Sequence, residues 1–397
     1  MFIQDPIHGY IQLNDLETDI ISSEAYQRLR RIKQLGCSHL VYPSTSHTRF
    51  EHSLGTAYLA GRFADYLDLD DDDRNHLRTA ALLHDTGHGP FSHVSERVME
   101  NYGKSHEDFS ADVIRGPLSD TLEQHGVDPD RVVDLVNGRT ELGSVIAGDI
   151  DVDRMDYLMR DSHYSGVAHG TIDDETIMRA ATLHNGSLVF HAKFRQALEG
   201  LLTARYLMIP TVYTHDSVTR AEKMMERGID EMVVDGSIDV DELATMDDID
   251  LKYRLRHTDN ERARSLNSRL DNRNIFKTAL RWDVDDLSRD GMREIARNMD
   301  DEREIEEEIA DEAGMPVEEV LVNSPHIPAK QDVDVSLLDG DETTSLDEVS
   351  RLTQAVHSTE WEQVALEVYC PPRRKEAVSE AAKAVLKQYK SLLQKFF

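Results

Sequence analysis

A mainly α-helical protein with a smaller α+β lobe at its C-terminal end is predicted by two features of the sequence. Apolar residues recur at helical spacing up to about residue 228, in segments set apart by Gly, Pro and acidic clusters. Beyond residue 228 the texture changes, and helical pieces alternate with short β-type runs. The expected division is a helical core over 1–228 and an α+β lobe over 229–397.

The elements follow in order. Residues 1–15 read as extended segments around the turn-like Asp5-Pro6 and His8-Gly9. Ser23 is placed to cap a helix running to about Leu35, with Tyr26, Leu29 and Ile32 on its buried side. His52 opens another helix, in which Gly55, Ala57, Ala60 and Gly61 permit close packing while Leu54, Tyr58, Leu59 and Phe63 supply core. After the acidic run Asp70 to Asp73, a third helix spans Asn75 to Asp85 and is stopped by Gly87, Gly89 and Pro90. Helical patterns continue at 94–101, 107–115, 129–136 and 143–161. Asn185-Gly186 between ATLH and SLVFHA marks a hairpin. A long helix from about Phe194 to Gly228 is expected to kink at Pro210. In the lobe, helical pieces cover Val240 to Leu280. A helix from about residue 300 then precedes a strand (Val333 to Leu337), a helix (Leu346 to Ala355), a strand (Val364 to Tyr369) and a final helix (Arg374 to Phe397).

Charge bounds the function. Lys and Arg number 44 against 76 Asp and Glu, a formal charge of -32. Such a chain lacks the basic field that releases counterions from nucleic acid, so general nucleic-acid binding is not expected. The acids spread along the whole length, interleaved with apolar periodicity, which excludes a disordered acidic tail. Lysines concentrate between Lys375 and Lys395. Diffuse acidity with scarce Lys fits adaptation to molar salt better than an ordinary acidic cytosolic protein. At about 1 M salt the Debye length is only about 3 Å, and carboxylate repulsion is screened. Cys37 and Cys370 supply neither a disulfide framework nor a Cys-based zinc site. MFIQDPIHGY has no signal-peptide pattern, and no apolar run approaches the ~20 residues of a membrane span. A cytoplasmic protein without a membrane partner is expected.

The chemistry lies in a pattern H…HD…D: His52, the adjacent His84 and Asp85, and Asp153. Two imidazoles and two carboxylates can bind one divalent transition metal (Mn, Fe, Zn, Ni or Co) and leave positions open for water or a phosphate oxygen. Three helices would converge on the ion, as in bundle metal sites. A lone His-Asp dipeptide would be no signal. Here His88 and His93 follow within ten residues, and so many imidazoles are costly in a core because each needs partners for its nitrogens. Asp149, Asp153, Tyr157 and Asp161 follow i, i+4 spacing beside Arg154, opposite an apolar flank. That reads as a pocket wall offering hydrogen bonds to a sugar and a cation to phosphate.

With these residues in hand, the sequence resembles the HD-domain phosphohydrolases, and within them the deoxynucleoside-triphosphate triphosphohydrolases typified by the sterile-alpha-motif HD-domain enzyme. DPIHGYIQL, AYQRLRRIKQLG, SHTRFEHSLGTAYLAG, HDTGHGPFSH, SHEDFS, DIDVDRMDYLMRDSHYSG, NRNIFK and EVYCPPRRK match in order over nearly the whole chain. By this resemblance the chain is expected to begin at the HD module, without a preceding sterile-alpha-motif segment. The resemblance implies a helical HD core with His52, His84, Asp85 and Asp153 as metal ligands. His88 and His106 would flank the α-phosphate with Glu96 beside them, at a position where relatives carry Asp. Arg49 and His93 would contact phosphates, Arg154 and Arg205 the polyphosphate, and Mg would accompany the nucleotide phosphates. Gln34, Tyr157 and Asp161 would read the sugar 3′-hydroxyl. Tyr213 would close against a ribose 2′-hydroxyl, and Leu35 would line the base pocket. The implied reaction releases deoxynucleoside and triphosphate from a dNTP by attack at the α-phosphate. Gln27 and Arg30 match a nucleotide-activator site in a homo-oligomer (dimer or tetramer). Ser22 stands where relatives carry the Asp that reads guanine, and a serine cannot accept two guanine N–H bonds as a carboxylate does. The same metal core also serves nucleotidases and cyclic-nucleotide phosphodiesterases, and a silent nucleotide-binding regulator is the non-enzymatic alternative.

Overall fold

Turn chemistry sets the first element: Asp5 accepts the backbone N–H groups of Ile7 and His8 at 2.9 and 2.8 Å and closes a hairpin of β1 (Phe2–Asp5) and β2 (Gly9–Gln12). The computed structural model describes residues 1–299, 302–327 and 333–393. After α1 (Asp15–Ser22), Ser23 caps α2 (Glu24–Arg28) as expected, but the helix tightens into a 3-10 turn over Leu29–Arg31 and stops before Leu35. Helix α3 (Arg49–Tyr66) starts three residues before His52. Helix α4 (Asp71–Leu83) includes the acidic run, which Asp70 caps. Carboxylates at a helix N-terminus complement the dipole, so the helix expected from Asn75 starts earlier, with Asp71 to Asp73 as its first turn.

Next come α5 (His93–Glu100), α6 (His106–Arg115), α7 (Ser119–Gln124) and α8 (Pro129–Val136). Helix α9 (Val152–Ser165) is shorter than the expected 143–161 at its start. Asp151 caps it by accepting from the Arg154 N–H, so Asp149 lies outside the helix. After α10 (Asp174–Ala180), the Asn185-Gly186 turn joins β3 (Ala181–His184) to β4 (Ser187–His191). The expected kink at Pro210 is a break: α11 (Arg195–Met208) passes through a π-turn at Ile209–Tyr213 into α12 (Asp216–Val234). Then follow α13 (Val240–Thr245), α14 (Asp248–His257), α15 (Glu261–Asp271), β5 (Lys277–Asp283), α16 (Val284–Asn298), α17 (Glu302–Ala313), β6 (Leu321–Asn323), β7 (Ser336–Asp339), β8 (Glu342–Ser345), α18 (Leu346–Val349), α19 (Arg351–Glu360), β9 (Ala365–Cys370) and α20 (Lys375–Leu393). The last four residues of the expected final helix lie outside the described residues. The sequence reading missed β5, β6 and β8, each too short or too charged to show a clean period of two. Among the described residues no helix is long and apolar enough to cross a membrane.

The chain divides into two compact units that do not meet at one point in the sequence. The first comprises Met1–Tyr213, Ile238–Tyr253 and Asp332–Gln354. Its core packs Phe50, Leu54 and Leu59 of α3 against Leu77 and Leu82 of α4 and Met155 and Leu158 of α9. A four-stranded sheet of order β3-β4-β7-β8 lies in this unit, with β4 and β7 parallel. The second comprises Thr214–Ser237, Arg254–Gln331 and Ala355–Phe397. Its antiparallel sheet β5-β9-β6 presents Leu366 and Val368 to Ile305, Ile309, Val378 and Leu386.

A charged network runs through the second unit. Glu302 accepts from Lys223 Nζ at 2.6 Å and Arg227 Nη2 at 3.0 Å, and Arg227 also reaches the buried Glu306 at 2.9 Å. Burial raises the Glu302 pKa, but Lys223 and Arg227 outweigh it and pull the group down to about 2. A depressed carboxylate contributes stability above its ordinary pKa and loses it as the pH falls through the folded value. Glu302→Gln is therefore expected to cost on the order of 3 kcal/mol at neutral pH. The gap between wild type and variant in urea unfolding should close as the pH falls from about 5 towards 2. A pH-independent gap would show that the charge is not its source.

Candidate active site

Local bonds leave two bare imidazole nitrogens facing one point. In α3, His52 is fully buried, and its Nδ1 donates to Asp156 Oδ2 at 2.8 Å. His84 closes α4, and its Nδ1 donates to the Ala81 carbonyl at 2.8 Å. Nε2 of both rings is buried without a hydrogen-bond partner. Asp153, in the first turn of α9, brings Oδ1 to 2.9 Å from His52 Nε2 and 3.6 Å from His84 Nε2. Asp85 lies 3.4 Å from His52 Nε2 through Oδ2 and 3.3 Å from His84 Nε2 through Oδ1. These approaches lack hydrogen-bond geometry. Ligand atoms each bonded at ~2.0–2.2 Å to one ion stand about 3 Å apart, so the spacing of His52, His84 and Asp153 fits shared ligation, with Asp85 beside them and grouped also with His88 and His106. The donor set, two imidazoles and two carboxylates, suits a divalent transition metal.

The electrostatics agree. Burial lowers the His52 pKa, but Asp153, Asp156 and Asp85 overcome it and push it up to about 10. Asp153 is held well below the usual carboxylate range, because His52 and His84 outweigh its burial. Three carboxylates thus stabilise positive charge where His52 and His84 converge.

Beside this cluster stands an array of histidines. Gly87 lets the chain press onto α6: a Cβ there would lie 2.1 Å from the His106 carbonyl oxygen and 2.3 Å from the Ser110 nitrogen. Ser110 Oγ in turn donates to the His84 carbonyl and accepts from the Gly87 N–H. His106 at the start of α6 therefore stacks on His88, with ring centroids 4.0 Å apart and planes 11° apart. Glu96 on α5 accepts from His93 Nδ1 at 2.7 Å with one oxygen and from His106 Nδ1 with the other. Despite its burial, Glu96 is held far below its ordinary pKa by His106 and His93. Burial lowers His106, but Glu96 outweighs that and raises it. His88 is pushed well down by burial, then by Arg49 and His106. Arg49 donates to Asp85 Oδ2 at 2.6 Å and to Ser92 Oγ at 2.9 Å, and its Nη2 lies 3.4 Å from His93 Nε2. Phe91 and Ser92 adopt left-handed backbone, with φ of 56° and 52°. Such strain persists where neighbours over-determine it. Asp248 accepts the Phe91 N–H at 2.7 Å, and Ser92 Oγ donates to the Lys33 carbonyl at 2.7 Å.

A second group lies further along α9. Tyr157 and Tyr213 meet edge to face with centroids 6.1 Å apart. Asp161 accepts from Tyr213 Oη at 2.8 Å and is bonded by His47 Nε2 at 2.8 Å. Arg205 acts electrostatically on both tyrosines, lowering hydroxyl pKa values that burial raises. Gln34 is buried, with Oε1 unpartnered and its backbone N–H donating to the His47 carbonyl, while Leu35 packs against the core. Arg154 does not project freely: Nη1 donates to Asp151 Oδ2 at 2.8 Å, and Asp149 lies 3.7 Å away. Gln27 and Arg30 bond to one another at 3.0 Å, and Arg30 sits 3.5 Å over the Phe50 ring. No hydrogen bond among the described residues joins them to the metal cluster.

The sequence reading missed His47, Ser92, Asp156 and Asp248. SHTRFEH contained the signal for His47. Asp156 carried none, because it falls off the i, i+4 line of Asp153, and Asp248 sits almost a hundred residues beyond the cluster.

Fold and site together define a helical protein with a buried His/Asp cluster able to hold a divalent metal. Family models match along the chain: the HD domain over residues 49–161 and the HD associated region over residues 172–396. An uncharacterized protein of Methanocaldococcus jannaschii is 35% identical over 94% of this chain and 79% of its own length. The deoxynucleoside triphosphate triphosphohydrolase SAMHD1 homolog of Dictyostelium discoideum is 30% identical over 72% of this chain. Human SAMHD1 is 36% identical over 42%. The chain spans 63% and 33% of the lengths of these two. A phosphohydrolase from Bacteroides thetaiotaomicron superposes with a TM-score of 0.74 at 25% identity, over 94% of this chain and 99% of that one. A hypothetical protein from Aquifex aeolicus does so with a TM-score of 0.75 at 26% identity, over 96% and 99%. The chain belongs to the HD-domain phosphohydrolase superfamily, in the group carrying the HD associated region.

Proposed function

We propose that this protein hydrolyses deoxynucleoside triphosphates to deoxynucleoside and inorganic triphosphate. One observation carries the reading: a metal-ligand cluster lies beside two stacked histidines whose environments drive their pKa values in opposite directions. His52, His84, Asp85 and Asp153 would hold a divalent ion, which would supply Lewis acidity and lower the pKa of water. His88, kept neutral, accepts a proton from the attacking water. His106, kept protonated by Glu96, donates to the departing 5′-oxygen as the bond to the α-phosphorus breaks. Arg49 and His93, with Arg154 and Arg205, offset polyphosphate charge. Arg154 leaves Asp151 to do so. Tyr157, Asp161 and Gln34 hold the sugar, Tyr213 bars a 2′-hydroxyl, and Leu35 lines the base side.

The test incubates the purified protein with Mn²⁺ and each dNTP, with Mg²⁺ present, and resolves the phosphate products. Triphosphate release supports the reading. Pyrophosphate or monophosphate as the sole phosphate product moves the chain to another HD chemistry, and bound nucleotide without turnover makes it a regulator. The reading extends to a homo-oligomer with Gln27 and Arg30 at a nucleotide-activator site, and to a cytoplasm rich in salt. With a charge of -32, the unfolding midpoint is expected to rise from dilute buffer to molar KCl. A midpoint that stays constant or falls removes the salt adaptation.

A further inference from the structure

Asp156, which no part of the reaction above uses, is a fully buried carboxylate with a hydrogen bond for every lone pair. Its Oδ1 accepts from His8 Nε2 at 2.6 Å and Arg160 Nη2 at 2.9 Å. Its Oδ2 accepts from His52 Nδ1 at 2.8 Å and Arg160 Nε at 2.9 Å. Four donors on two oxygens exhaust the acceptor capacity of a carboxylate. The third edge of the Arg160 fork donates to Asp5 Oδ2 at 2.8 Å, and Asp5 Oδ1 gathers the N–H groups of Ile7 and His8. Asp156 and Arg160 are both fully buried, and the His8 side chain is 5% exposed. Space for the pair exists only because residue 55 is glycine: a Cβ there would lie 1.9 Å from Asp156 Oδ1 and 2.5 Å from Arg160 Nη2.

We infer that the turn of the N-terminal hairpin is a working part of the metal centre, with His8 and Asp5 acting through Asp156 as positioning residues for His52. An imidazole can present Nε2 to a cation only when its proton sits on Nδ1. A carboxylate at Nδ1 fixes that tautomer, fixes the ring plane and strengthens the ligand. Asp156 can do so only while its own orientation is set. Arg160 and His8 set it, one bidentate and one from the hairpin turn. Residues of the N-terminal hairpin turn, reaching Asp156 across the fold, thereby tune the first ligand. The inference rests on the metal reading of the previous section.

The experiment titrates metal-stripped full-length protein with Co²⁺ alone and follows the visible absorption of the bound ion. His8→Phe keeps a ring beside Tyr58, whose centroid lies 4.9 Å from that of His8, but removes the donor. Its Co²⁺ affinity is expected to fall about tenfold, the lower end of the roughly 10–100-fold range for lost outer partners. His8→Gln presents an amide N–H at similar reach and should restore most of the affinity. Asp5→Asn, which sets an amide N–H against Arg160, gives a loss of the same sign if His8→Phe does not fold. Wild-type affinity and spectrum in both His8→Phe and Asp5→Asn overturn the inference and leave the metal reading intact. Equal losses in the Phe and Gln variants also overturn it, because the hydrogen bond is then not the cause. A wild-type protein that takes up no Co²⁺ overturns the metal reading and this inference with it.

Discussion

Asp153→Ala is expected to abolish metal uptake and, with it, the proposed triphosphate release. Asp153 approaches both bare imidazole nitrogens with a single oxygen, at 2.9 and 3.6 Å. It sits in the first turn of α9 with its side chain about a third exposed, so its removal opens no large void in the core. Losing it leaves two neutral donors and Asp85, and Asp85 is already bonded to Arg49 at 2.6 Å. A divalent ion facing that guanidinium with one carboxylate is poorly compensated. We expect metal content near zero after gel filtration and a fall in kcat of at least about 10³-fold, corresponding to roughly 4 kcal/mol of transition-state stabilisation. Circular dichroism should show the fold retained. A variant that keeps its metal and its rate would remove Asp153 from the ligand set.

Glu96→Gln is expected to keep the metal and lose the rate. Glu96 forms no bond to His52, His84, Asp85 or Asp153; it bridges His93 and His106. Its hydrogen bond first, and its charge second, raise the His106 pKa against burial. Without that charge His106 loses its proton at lower pH. If His106 is the acid that protonates the departing 5′-oxygen, the alkaline limb of the kcat profile moves to lower pH. The sign follows directly: the wild-type limb lies higher because a carboxylate stabilises the imidazolium. At neutral pH the rate should fall on the order of 10²-fold or more, the usual worth of a positioned acid–base group. An unshifted limb with a lowered rate would assign Glu96 to orienting the two imidazoles and not to their charge. Gln offers one acceptor oxygen where Glu96 uses two, so His93 and His106 would then compete for it.

Much of this site was legible in one dimension because ligands and helix ends coincide. His84-Asp85 ends an apolar helix before Gly87, and Asp153 and Tyr157 share one side of α9 through i, i+4 spacing. Asp149 extended the same spacing on paper but lies outside the helix, because the Asp151 side chain caps the chain after it. The acidic run Asp70 to Asp73 stood ahead of the helix start expected at Asn75, where a connection would lie, and is instead the cap and first turn of α4. Charge alone cannot distinguish the two, since both lie at the surface. Arg154 was legible as a cation, but its partners Asp151 and Asp149 were not legible as its holders.

What the sequence determined by itself is the kind of chemistry: a set of donors that suits a divalent ion, histidines too dense for a core, and a helical frame fixed by apolar periodicity. Those depend on residue identity and near spacing, which the chain carries locally. Tertiary structure alone decided how the donors are held. Asp156 with His8 and Asp5 behind His52, His47 on Asp161, and Asp248 under the strained Phe91–Ser92 backbone are all pairings between distant segments. Hydrogen bonds of that kind satisfy buried groups across the fold, and they leave no periodic trace in the order of residues.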